Sequence, residues 1–234
     1  NDVSDDISVA SGHTGATQLY GAGNSVANSA SSLTVVIKSS DHSNQRSLEF
    51  PGMVVTNMSI SADNGTEGGR YKFSATLQSG VKPDLNESTV AAGSNVYANT
   101  TNSVLSSGSG FKVMNSDVVM NSFTATIDHP AVFAGATSTG YEVVGRGAEC
   151  AVTIDTQVKY DGNTKTLVHG YDTQSAPNAT NSFVIVNNNA FGIDVQNAIY
   201  TNVAYSEAEI MMLDISMKSV DDGTDPLITF DVSA

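Results

Sequence analysis

This chain has no tryptophan, a single cysteine, and only 10 lysines and arginines among 234 residues. The lone Cys150 excludes an internal disulfide, whatever the compartment. It sits between Glu149 and Ala151 in a strand pattern, on the face of Val152 and Ile154, and reads as a small buried thiol. The few bases stand against 24 Asp and Glu, a net charge of -14, yet charged residues make up only 15%. The acidity therefore comes from a shortage of bases, where a halophile would carry an excess of acids. A chain so poor in Lys and Arg is a weak candidate for gripping phosphates, because sequence-independent affinity for nucleic acid comes from those two residues. No apolar run reaches the roughly 18 residues that a membrane-spanning helix needs. No basic segment followed by an apolar run is found, so no signal peptide is expected here. The sequence opens on Asn1 rather than Met, which leaves room for residues ahead of it.

Candidate chemistry is equally sparse. His13, His42, His129 and His169 lack metal-ligand spacing. Asp128-His129 is an acid-imidazole neighbour pair, but Pro130 follows it and no nucleophile motif accompanies it. The glycine-rich NGTEGG and GRG lack the strand-to-helix context and the lysine of a phosphate loop. Asp221, Asp222 and Asp225 do not match a calcium loop and read as a solvated turn. Sequons at Asn57, Asn64, Asn86, Asn99 and Asn178 follow from the abundance of Asn, Ser and Thr. No enzyme, no cofactor and no metal site is expected.

Alternation is what the chain does have. In FPGMVVTNMSISADNGTEGGRYKFSATLQ, from Phe50 to Gln78, Val54, Thr56, Met58 and Ile60 share one face, and Asn57, Ser59 and Ser61 the other. After the turn, Tyr71, Phe73, Ala75 and Leu77 oppose Lys72, Ser74, Thr76 and Gln78. Period two means strands with one buried and one polar face, here a two-stranded ribbon. VVMNSFTATID, from Val118, echoes VVTNMSISAD, from Val54, through either duplication or chance in a Ser/Thr/Asn-rich chain. Its partner is AECAVTIDTQVKYDGNT, from Ala148 to Thr164. Residues 1–32 lack periodicity and read as an extended arm that orders against neighbouring subunits; residues 33–234 read as one β-rich domain. SLTVVIK is a strand, and Leu85 to Ala92 is the best candidate for a helix, at most one short one. HPAVFAGATSTGYEVVGRG is too rich in glycine for a helix, and a short strand is expected in TKTLVHGY. SFVIV, FGIDVQNAIY, AEIMMLDISMKS and PLITFDVS close the chain as strands. The class is all-β, a sandwich or barrel-like subunit.

These stretches together, SLTVVIK, the Phe50–Gln78 ribbon, VVMNSFTATID, VVGRGAECAVTIDTQVKYD, TKTLVHGY and IDVQNAIY, resemble the tail tube proteins (major tail proteins) of long-tailed bacteriophages. The resemblance covers roughly residues 32–234 and rests on strand and turn patterns rather than on a diagnostic motif. It implies that each subunit gives four long strands to a β-barrel shared by six copies. Rings would stack into a virion tail tube through which genomic DNA passes without specific binding. Assembly would occur in the host cytoplasm, with a tape-measure protein in the lumen and tail-tip and terminator proteins at the ends. A virion decoration or fibre domain, or a surface-filament domain, that binds a surface ligand is the alternative. The absence of tryptophan and the few loop aromatics, Phe133, Tyr141 and Tyr171, argue against it.

A sheet in water buries its apolar face, so a closed barrel turns the polar one toward its lumen. The residues expected there are Asn57, Ser59, Asp63, Thr76, Gln78, Thr124, Thr126, Asp128, Glu149, Thr153, Asp155 and Gln157. The apolar face of the second ribbon is expected to hold Val119, Phe123, Ala125 and Ile127 with Val152, Ile154 and Val158. Lys72 is the one cation among the polar positions.

Overall fold

The computed structural model describes residues 7–9, 33–38, 47–86, 105, 108–138, 140–146, 150–173, 181–187, 192–206, 210–221 and 226–231. Among the described residues the alternating segments of both ribbons form strands. The long β3 (Ser47–Asp63) and β4 (Lys72–Gln78) form the first ribbon; β8 (Met120–Asp128) and β11 (Ala151–Lys159) form the second. The two ribbons lie side by side, because β3 pairs antiparallel with β8 from Asn57↔Asp128 to Asp63↔Ser122. The sheet does not stop at the four strands that the resemblance implies. β15 (Met212–Ser219) takes the outer edge of β11, and β14 (Ala198–Ser206) takes the outer edge of β15. Six antiparallel strands thus run in the order β4-β3-β8-β11-β15-β14. The first half of β3 carries β2 (Leu33–Lys38) and β5 (Asp84–Asn86) instead.

A second sheet packs on the apolar face. Its order is β1-β16-β13-β12-β6-β7, with β1 (Ile7–Val9), β6 (Gly108–Val113), β7 (Ser116–Asp117), β12 (Phe183–Asn187), β13 (Gly192–Val195) and β16 (Ile228–Asp231). The two layers share one core: Phe123, Ile127, Ile154 and Ile215 from the first meet Val113, Phe183, Ile193 and Ile228 from the second. The Phe123 ring lies 5.9 Å from Phe183 across the layers and 5.9 Å from Tyr71 beside it. Such aromatic pairs stabilise a core beyond their buried area. Cys150 is buried, as its place in the pattern implies. The glycine-rich excursion after His129 is a separate hairpin, β9 (Ala131–Ala136) with β10 (Tyr141–Arg146).

Four expectations need correction. Among the described residues there are two short helices rather than at most one, and both lie where a turn or strand was expected. The first, α1 (Asn64–Glu67), closes the NGTEGG turn. Gly65 N and the Thr66 hydroxyl donate to the Asp63 carboxylate at 2.7 and 2.9 Å, holding its pKa below the usual value. The turn then exits through Gly68 and Gly69 at φ 64° and 72°. The second, α2 (Lys165–Asp172), replaces the strand expected in TKTLVHGY. Asp161 starts it: its carboxylate accepts from Asn163 N and Thr164 N, and its carbonyl accepts from Lys165 N. Adjacent Leu167 and Val168 offer no alternation, so the segment lays buried Leu167 inward from a helix.

Leu85 and Asn86, at the start of the stretch expected to be helical, belong to β5; residues 87–92 lie outside those described. Val119 is 58% exposed rather than on the apolar face. The register shifts between Gln157 and Val158, so Met120 takes the place opposite Val158. Within the stretch read as an arm, Ile7–Val9 pairs parallel with β16 of the same chain instead of waiting for a neighbour. The rest of residues 1–32 lies outside those described.

Candidate functional site

The exposed face of the six-stranded sheet carries rows of polar side chains. Cross-strand partners share a face, so the pairing reads out its rows directly. One row runs Ser74–Ser59–Thr126–Thr153–Lys218–Ile199 across β4, β3, β8, β11, β15 and β14. The next runs Lys72–Ser61–Thr124–Asp155–Ser216–Asn202. A third joins Asp63, Ser122, Gln157, Asp214 and Ala204, and a fourth joins Thr76, Asn57, Asp128 and Ala151. Ten of the twelve expected residues stand in these rows. Of the others, Gln78 is opposite Val54, past a register shift at Val55/Asn57, and Glu149 lies outside the described residues. Asp63 reaches the face only at its end, where it is committed to capping α1.

Hydrogen bonds hold these side chains in place. Ser216 Oγ donates to Asp155 Oδ1 at 2.6 Å, and Gln157 Nε2 donates to Asp214 Oδ1 at 2.8 Å. Asn121 Nδ2, at the register shift, donates to Gln157 Oε1 at 2.7 Å. Asn121, Gln157 and Asp214 thus form a chain spanning three strands. Neutral donors satisfy these acceptors.

Sequence reasoning named β14 and β15 as strands but not their place beside the second ribbon. Asp214, Ser216 and Lys218 alternate with buried Leu213, Ile215 and Met217, the same signal that marked the two ribbons. Nothing in the alternation told that this strand would join the ribbons' sheet. Lys218 and Lys159, both exposed, therefore join Lys72 on a face where one cation was expected. Asp63, Asp128, Asp155 and Asp214 face them, so the acids outnumber the bases by one.

The edges of the sheet are the other feature. Among the described residues β4 pairs with β3 alone and β14 with β15 alone. An even number of antiparallel strands separates the two outer edges, so β4 and β14 run in opposite directions. An unpaired edge is a template for another strand. Among the described residues no group of three or more His, Cys, Asp or Glu could hold a metal ion.

No protein-family model and no curated protein matches the sequence. Among solved structures, the chain is similar to one from the tail of an empty gene transfer agent particle, refined as a helical assembly with C6 symmetry. That likeness has a TM-score of 0.35 and 9% identity, covering 50% of this chain and 84% of the other. It is similar also to a chain from the virion of a native gene transfer agent particle, with a TM-score of 0.33 and 9% identity. There the match covers 57% of this chain and 89% of that one.

Proposed function

We propose that this chain is a structural subunit of a phage-type tail tube, and that it works by joining copies of itself into rings whose polar face lines a conduit for DNA. One observation carries the reading. A single sheet has a buried apolar face, a continuous polar face and, among the described residues, two open edges of opposite direction. A copy added at β4 through its own β14 continues the antiparallel alternation, and repeating that contact around a rotation axis leaves no edge exposed. The face then enclosed carries hydroxyls, amides and a small excess of carboxylates. Phosphates passing it meet no basic stripe, and screening confines repulsion to about 8 Å at physiological salt. DNA moves through such a lumen without being held.

Six copies per ring, a tape-measure protein in the lumen and residence in a virion tail belong to this reading through the resemblance in sequence pattern. Negative-stain electron microscopy of the purified chain tests it. Rings or tubes are the expected result. Monomers persisting at high protein concentration refute it, and monomers that instead bind a surface glycan point to the decoration or fibre alternative.

A further inference from the structure

Tyrosines meet in two pairs beside β14, and the two pairs are built differently. Tyr205 lies in β14 opposite Leu213 of β15, which lies opposite Val158 of β11. Tyr160 follows β11 two residues on from Val158 and so returns to the same side of the sheet. Its N–H donates to Met211 O at 2.9 Å, which fixes its backbone beside the start of β15. The Tyr160 and Tyr205 rings therefore meet over β15, their centroids 5.5 Å apart and their planes at 76°. Tyr205 is 52% exposed. The second pair, Tyr171 of α2 with Tyr200, is wider at 6.2 Å and is turned inward. A Cβ on Gly170 would lie 3.7 Å from the Tyr200 hydroxyl, so α2 covers it, and burial pushes that phenol up to about 12.

Two phenols that each lose an electron and a proton can couple through the ring carbons beside their hydroxyls. The coupling needs rings in contact, a twist between their planes, and a path for the oxidant. The first pair has all three. Partial desolvation, the neighbouring Tyr160 and the Asp172 carboxylate hold the Tyr205 phenol above its usual pKa. The same nearby negative charge eases removal of an electron from that ring.

We propose that Tyr160 and Tyr205 form an oxidative crosslinking site, where a dityrosine bond staples the edge strand β14 to the end of β11 across β15. A peroxide-driven one-electron oxidant takes one electron and the phenolic proton from each ring. The two phenoxyl radicals then join Cε to Cε. Each bonded carbon gives up its hydrogen as a proton while its own oxygen takes one from solvent, which restores both phenols. One hydrogen peroxide accepts the two electrons and two protons and becomes two waters, so the chain loses two hydrogens in all. The bond closes the chain between positions 160 and 205 into a covalent loop, which restricts the unfolded chain as a disulfide does. It also restrains fraying of a strand that, among the described residues, has a partner on one side alone. The inference stands on this geometry and does not rest on the tube reading.

The full chain treated with a peroxidase and hydrogen peroxide tests it. Dityrosine fluorescence should appear, with one crosslinked peptide joining Tyr160 to Tyr205 in the mass spectrum. The chain should still run as a single copy on a denaturing gel and should melt at a higher temperature than untreated chain. Tyr160→Phe and Tyr205→Phe keep the ring and lose the phenol, so each should fold as the wild type does and give no dityrosine above the untreated level. Peptide mapping of the wild type reads the site without either variant. A treated wild type without dityrosine overturns the proposal. So does a bond mapped between copies or between Tyr171 and Tyr200, or dityrosine that persists in Tyr205→Phe.

Discussion

Ile154 and Asp155 are neighbours in β11 whose side chains point to opposite faces, so truncating each to alanine asks which face is core and which is lumen. Ile154 is fully buried, with Ala125 and Met217 at its cross-strand positions. Ile154→Ala removes three carbons, about 0.8 kcal/mol each in transfer, and leaves a cavity between two layers that cannot collapse onto it. The expected cost is about 3–4 kcal/mol, within the range of about 2–5 seen for such truncations. For a chain of this size that is a fall in Tm of roughly 6–16 °C. Asp155→Ala loses one exposed hydrogen bond, from Ser216 Oγ at 2.6 Å. The expected cost is below about 1 kcal/mol, a fall of a few degrees at most. Calorimetry of the two variants side by side measures both. Equal losses, or a larger loss at Asp155, would refute the assignment of the two faces.

Three further outcomes follow from named contacts. Burial pushes the Tyr71 and Tyr200 phenols up from 10.0 to about 12, favouring the neutral form in the folded chain. Stability is therefore intact below pH 10 and falls as pH climbs from 10 through about 12; ultraviolet titration should show Tyr71 and Tyr200 ionising late. Gly69→Ala should lower the melting temperature clearly: φ is 72° there, and a Cβ would collide with Asn64 Oδ1 and sit 3.2 Å from the Leu105 backbone. An unchanged melting temperature would contradict that geometry. Asp155→Lys, repeated in every subunit, adds a cation diagonal to Lys218 and in the row of Lys72, and should slow DNA passage through otherwise normal tubes. Virions ejecting at the wild-type rate would contradict the lumen assignment.

The strands were legible because alternation is local. Val54, Met58, Phe123, Ile127, Val152 and Ile154 could be assigned to a buried face from spacing alone, and they are buried. The register was not legible. The shift at Gln157/Val158 exposes Val119 and brings Asn121 to the polar network, and no pattern in the sequence marks it. Which strands become neighbours was equally hidden, since β15 joins β11 from more than fifty residues away. That pairing brought Asp214, Ser216 and Lys218 to the candidate site. The two helices were missed for a different reason. Hydrogen bonds that the Asp63 and Asp161 carboxylates accept from nearby backbone N–H groups decide those turns, and composition reads such turns only as polar.

The central claim is that the hydroxyl and carboxylate rows of the six-stranded sheet face a lumen. A helical reconstruction of tubes assembled from the purified chain measures this directly. The account predicts β4 of each copy hydrogen-bonded to β14 of the next, with Ser59, Thr126, Thr153 and Asp155 on the inner wall. Tubes carrying these residues on the outer surface, or joined through contacts that leave both edges open, would contradict it.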